Sequence, residues 1–225
     1  MIRKLHVLFF FLISSLAILV NVAHAQYFNV NGDAVSSGDG CYQLTTAQTF
    51  QGGTIWSPQK ISLEESFAIH ARLNFGTIDA NGADGIAFGL QPVNNSTGGS
   101  GGGMGVAGIS PSLIVEMDTW RNGYDPNYDH MHIVKDGELN HSIGGSVLAG
   151  PVQIVNGQNN VEDGNWSPVK FIWDKPTNTF SVEVNCESRL TYTGDIINDI
   201  FGGNDSVYWG FGAATGNSVN NHQLP

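Results

Sequence analysis

The chain is poor in charge, and what charge it has is one-sided. Only 13% of its residues are Asp, Glu, Lys or Arg, and nine basic residues face twenty acidic ones. A nucleic-acid partner, which is held by clustered Lys and Arg, is thereby excluded. Cysteine is scarce too, with Cys41 and Cys186 alone. Two cysteines cannot make a disulfide scaffold, but in an oxidising compartment a pair usually cross-links, the alternative being two unpaired small apolar residues. Beyond residue 25 there is no apolar run near the ~20 residues that a bilayer requires. No long stretch has the 3.6-residue periodicity of an amphipathic helix either.

The one apolar run stands at the start. Arg3 and Lys4 precede Val7 to Val20, and Ala23-His24-Ala25 places small residues where a signal peptidase reads them. This is an export signal, too short for an anchor. Cleavage after Ala25 leaves residues 26–225, read as one domain that is secreted or displayed at the cell surface. Arg3 and Lys4 leave with the signal, so the remainder is still more acidic.

What fills that domain is alternation. Phe67, Ile69, Ala71, Leu73 and Phe75 alternate with Ala68, His70, Arg72 and Asn74, the period of a half-buried strand. The same pattern recurs at Ile86, Phe88 and Leu90, at Val169, Phe171 and Trp173, at Phe180, Val182 and Val184, and at Val207, Trp209 and Phe211. Lys175-Pro-Thr-Asn178 reads as a hairpin turn. A short connector helix is expected from Asp195, as N-cap, to Phe201, with Gly202 and Gly203 ending it. The expectation is an all-β, antiparallel β-sandwich of jelly-roll type.

One segment gathers metal-ligand chemistry, from Glu116 to His130. On a strand, Leu113, Val115 and Met117 point one way while Glu116 and Asp118 emerge together on the other face. The turn-forming composition of Trp120 to Pro126 brings Asn122 and Asp125 back toward those acids, and His130 opens the next strand. Any one of these acids alone is ordinary loop furniture. Crowded on one face, they repel unless a cation lies between them. Oxygen ligands suit calcium, and carboxylates with an imidazole suit a transition ion.

The pattern Glu116-x-Asp118-x-Trp120-x-Asn122-x-x-Asp125-Pro, followed by His130, resembles the metal-binding segment of the L-type (legume-like) lectins, a family with the concanavalin A-like sandwich. The resemblance, which looks nearest to bacterial secreted members, implies that Glu116, Asp118, Asp125 and His130 hold manganese or another transition metal. It implies that Asp118, the Trp120 backbone carbonyl, Asn122 and Asp125 hold calcium. His132 departs from the family, which usually has a small residue there, and it would crowd or supplement the metal site. Ala83-Asp84-Gly85 resembles the family's sugar-binding turn, with a cis Ala83–Asp84 peptide and an Asp84 carboxylate that accepts from two sugar hydroxyls. In the glycine-rich loop, Gly105 is the best match for the residue whose amide meets the sugar, with Gly103 the rival. Tyr208 to His222 resembles the last strand and variable loop, with Asn217 and Ser218 as sugar contacts. In the family a further strand follows that loop and pairs with the N-terminal strand. Here Pro225 comes three residues after His222, so that strand is expected to be missing.

These parts imply a calcium-dependent carbohydrate-binding lectin domain, with Asp84, Gly105, Trp120, Asn122, Asn217 and Ser218 at a shallow pyranose site. Its partners would be glycans or glycoconjugates, and further domains of a longer exported chain. Two alternatives stand beside it: a structural or protein-binding adhesion sandwich with no sugar site, and a glycoside hydrolase of similar fold. The hydrolase pattern needs a second glutamate after Glu116-x-Asp118, and Thr119 to Asn122 contain no acid. No catalytic residue is therefore assigned.

Overall fold

A computed structural model describes residues 27–38, 40–95 and 100–225 of the chain. The export signal and part of the glycine-rich loop lie outside the described residues. The strands in chain order are β1 (Asn29–Gly32), β2 (Val35–Gly38), β3 (Cys41–Thr45), β4 (Gly52–Trp56), β5 (Ile61–Ser62), β6 (Phe67–Leu73), β7 (Gly85–Gln91) and β8 (Leu113–Asp118). There follow β9 (His130–Lys135), β10 (Val147–Gln153), β11 (Ser167–Asp174), β12 (Thr179–Val184), β13 (Glu187–Thr193), β14 (Ser206–Ala214) and β15 (His222–Leu224), with the short helix α1 (Ile196–Asp199) between β13 and β14.

Every strand pairing is antiparallel. The large sheet runs β1-β4-β14-β7-β8-β9-β10, with β5 on the end of β14; a four-stranded sheet runs β13-β12-β11-β6, and a small one β15-β3-β2. The apolar rows anticipated from the alternation meet in one core. Phe88 of β7 stacks on Phe171 of β11 with ring centroids 3.9 Å apart and meets Phe211 of β14 edge-on at 5.4 Å. This is an all-β sandwich. Helix α1 starts where its cap was expected, with the Asp195 side chain accepting from the Asn198 amide at 3.2 Å.

The large sheet is buried on both faces over β7 and β8. Leu113, Val115 and Met117 enter the main core, while Ile114 joins a second cluster with Trp56, Ala87, Met104, Val106, Val134 and Leu139. The glycine-rich loop thus roofs the outer face, anchored by Met104 and Val106, both fully buried. Glycine permits that close approach. A Cβ on Gly105 would stand 2.8 Å from the Thr54 methyl, and one on Gly212 would stand 2.4 Å from the Met104 carbonyl oxygen.

Two expectations are corrected. Cys41 and Cys186 form no disulfide: Cys41 opens β3 in the small sheet, and the exposed Cys186 sits in the turn between β12 and β13 with φ 65°. A strand does follow the variable loop. His222 pairs with Thr45 and Leu224 with Tyr42, so β15 joins β3 within the chain as it stands.

The far edge of the large sheet is irregular. β10 breaks register with β9 twice and contains Pro151. The Arg189 guanidinium of β13 donates to the Gln153 carbonyl there at 2.8 Å.

Candidate metal and sugar site

Glu116 and Asp118 emerge on one face at the end of β8, and the antiparallel register sets an imidazole opposite each. Glu116 pairs with His132 and Asp118 with His130. The following loop is folded back by its own polar groups. The Trp120 amide donates to Asp118 Oδ1 at 2.6 Å, the Asn122 amide donates to Asp125 Oδ2, and the Asp125 amide donates to the Asn122 carbonyl at 3.2 Å. Asp125 Oδ1 is left 3.7 Å from His130 Nε2 and 3.6 Å from Nδ1 of a further imidazole, His141.

The result is a buried knot of ligand-type atoms without partners. Glu116 Oε2, Asp125 Oδ1, His130 Nε2, His132 Nε2 and His141 Nδ1 are all buried and make no hydrogen bond among the described residues. His132 Nε2 and Glu116 Oε2 approach to 2.7 Å, but the contact is not aligned as a hydrogen bond. Burial pushes the Glu116 and Asp118 carboxyls well above the usual range, and the neighbouring carboxylates push them further. Burial likewise depresses His130 and His132 to about 4. A group of acids this crowded and dry favours a cation among them. Two sets have ligand atoms within 4.8 Å of one another: Asp118, Asp125 and His130, and His130, His132 and His141.

Beside this knot stands Asp84. The Ala83–Asp84 peptide is cis. The Asp84 amide donates to the Ala214 carbonyl at 2.9 Å, and its carbonyl accepts from the Thr119 amide at 3.0 Å, so the backbone is tied both to β14 and to the residue after Asp118. Its side chain is free: Oδ2 is buried without a partner, and burial raises the carboxyl to about 6. Gly105 packs against the carbonyls of Gly53 and Ala213. Among the described residues its amide donates to nothing, whereas the Gly103 amide donates to the Ser100 carbonyl at 3.3 Å. Of the two glycines, Gly105 is the one whose amide is unpaired among the described residues.

The loop after β14 closes the group. Gly216 lies against Asp84, and its amide donates to the Ser218 carbonyl at 3.1 Å, which leaves Asn217 exposed at the tip. Asp84, Gly105 and the Gly216 turn therefore collect around the end of β14. Trp120, half-buried, lines a hollow of about 530 Å³ with Asp118, Tyr128 and Glu162, and among the described residues Asp84, Gly105 and Asn217 do not line it. Asn122 is half-buried in the loop between them.

Glu162 and Asn220 are additions that the residue pattern did not single out. Glu162 accepts from Asn220 Nδ2 at 2.7 Å, and Asn220 Oδ1 accepts from the amides of Thr77, Ile78 and Asn221. A Cβ on Gly82 would lie 1.9 Å from Glu162 Oε1, so this pair braces the turn that carries Asp84. His141 was missed as well. Its only trace in the sequence is as a third histidine after His130 and His132, in a loop whose path periodicity does not set.

The family profile described as legume lectin β-barrel domain matches residues 21–225. Residues of the chain are 32% identical over 107 positions to the "Serine-rich adhesin for platelets" of Staphylococcus aureus (strain MRSA252), a match that covers 45% of this chain and 8% of that protein. The chain thus spans less than a tenth of that relative's length. Among solved structures, basic winged bean lectin with Tn-antigen superposes with a TM-score of 0.71 at 21% identity over 90% of both chains. Lectin I-B4 from Griffonia simplicifolia, in a metal-free form, superposes with a TM-score of 0.70 at 20% identity over 92% of both. At these identities the two structures speak to the fold.

Proposed function

Because this chain belongs to the legume lectin β-barrel domain family, we propose that it is a calcium-dependent, carbohydrate-binding module of an exported protein. The observation that carries the reading is Asp84, a carboxylate held by backbone bonds on both sides with its Oδ2 buried and unpartnered at the mouth of the acidic loop. Asp118, the Trp120 carbonyl, Asn122 and Asp125 would hold calcium, and Glu116, Asp118, Asp125 and His130 a manganese-class ion. The orphaned Glu116, Asp125 and His130 atoms fit such ions. Bound metal would supply positive charge that holds the loop closed, so that Asn122 is oriented before ligand arrives.

On this reading Asp84 accepts hydroxyl hydrogens and the Asn122 side chain and the Gly105 amide donate, while Trp120, which lines the neighbouring hollow, turns its ring toward an apolar sugar face when the metal-loaded loop closes. Asn217 and Ser218 shape the rim. A monosaccharide should bind at ~1 mM, with useful affinity coming from repetition of the module. An adhesive role within a longer chain accords with the name of the staphylococcal relative.

Asp84→Asn tests this. It removes the charge and turns one of the two acceptor oxygens into an NH2 donor, removing charge-assisted bonds worth ~1.5–3 kcal/mol each. The wild type should bind on a glycan array with calcium and not with chelator, and the variant should bind no glycan while its calcium titration is unchanged. Retained glycan binding by a calcium-loaded variant would move the sugar site elsewhere.

A further inference from the structure

The geometry points to a metal centre richer in nitrogen than the one the lectin pattern implies: His132 and His141 join His130, Glu116 and Asp125 around one ion, and the site takes a zinc-class cation rather than manganese. This rests on the reading that the acidic loop holds metal, but it adds His141 as a ligand, makes of His132 a ligand rather than an obstacle, and chooses among the transition ions.

Three observations carry it. First, the unpartnered atoms are complementary ligands: a nitrogen from each of His130, His132 and His141 lies within 4.8 Å of the other two, Asp125 Oδ1 is 3.7 Å from His130 Nε2 and 3.6 Å from His141 Nδ1, and Glu116 Oε2 is 2.7 Å from His132 Nε2. A buried polar atom without a partner is costly, so several packed against one another call for something to satisfy them together. Second, His141 is already set as a ligand. Its Nε2 lies 3.1 Å from the Tyr124 carbonyl oxygen, an acceptor only, so that nitrogen carries the proton and Nδ1 presents its lone pair toward Asp125. A second ring nitrogen tied to a carbonyl is the usual support of a metal-bound histidine. Third, His132 is fully buried, and its Nε2 stands 2.7 Å from Glu116 Oε2 in a contact not aligned as a hydrogen bond.

The chemistry of the donors then chooses the ion. Carboxylate and water ligands suit manganese, whereas imidazole suits zinc, copper and nickel. Removing imidazoles should therefore weaken zinc far more than manganese. Calcium keeps its own oxygen ligands and should be indifferent to either histidine.

The test uses the metal-free full chain in its wild-type, His141→Ala and His132→Gly forms, each checked by thermal unfolding before metal is added. One equivalent of Cu²⁺ serves as a spin probe, since electron spin-echo modulation counts coordinated imidazoles. Three are expected in the wild type and two in each variant. Competition between Zn²⁺ and Mn²⁺, read by elemental analysis, should show the wild-type preference for zinc falling by about ten-fold or more in each variant. His141 stands in a loop, so its variant decides the matter if His132→Gly does not fold. One imidazole in the wild type, or an unchanged zinc-to-manganese ratio in His141→Ala, overturns the inference. Glycan binding with calcium alone separates the two readings. If glycans bind and one imidazole is counted, the inference fails and the lectin reading stands; three imidazoles without glycan binding is the reverse.

Discussion

Two buried acidic clusters flank the same hollow, and they are built in opposite ways. Around Glu162 the polar atoms are spoken for: its carboxyl meets Asn220, and Asn220 in turn meets the backbone of Thr77, Ile78 and Asn221. Around Glu116 they are not, and five side-chain atoms from five residues face one another without bonds. Burial raises the acids in both places. The difference shows that burial of charge alone does not mark a binding site. A closed network is masonry, and an open one of matched donors waits for a guest.

The contrast can be broken from the masonry side. Asn220→Ala removes every bond that Asn220 makes to the 77–78 turn and leaves the buried Glu162 carboxyl and the half-buried Ile78 carbonyl without that partner. A loss of about 3 kcal/mol in urea unfolding is expected, with calcium affinity of the folded protein unchanged. A variant that lost calcium instead would show that the two clusters act as one. From the other side, stripping metal from the wild type should cost about as much as a ligand held at 100 times its Kd contributes, about 2.7 kcal/mol. For a chain of this size that is a fall in Tm of about 5–10 °C on adding chelator, and an unmoved Tm would deny the open cluster its guest.

A change of pH sharpens the comparison further. Burial holds Glu162 at about 8, above its ordinary 4.5. The folded protein thus keeps a proton that the unfolded chain has released, and this contribution, complete below about 4.5, is lost as pH rises through 8. Glu162→Gln keeps the acceptor for Asn220 and cannot ionise. With metal present, its urea midpoint should match the wild type near pH 5 and exceed it at pH 9. Parallel curves for the two proteins would mean that Glu162 is charged throughout.

Much of the frame was legible, because period-two alternation is a direct imprint of a sheet with a dry face. Phe67 to Leu73 and Val169 to Trp173 lie in strands as their spacing required. The acids at Glu116 and Asp118 could be placed on one face by the same rule. What opposes them could not, since the register that sets His132 against Glu116 is decided by the length and folding of the intervening loop. His141 was hidden for a similar reason: it reaches the site from a turn, where no periodicity applies. The roof over the large sheet was concealed by its own composition, since among so many glycines Met104 and Val106 do not read as core. Cys41 and Cys186 misled because compartment and number say nothing of distance.

The broken edge at β10 bears on how copies of this chain can meet. A straight outer strand is a seam along which like sheets zip into fibres. At β10 the rungs step out of phase twice, Pro151 withholds a donor, and Arg189 occupies the Gln153 carbonyl. An incoming strand would find purchase for only a residue or two at a time. Copies of this chain can therefore crowd along that side without sheets fusing.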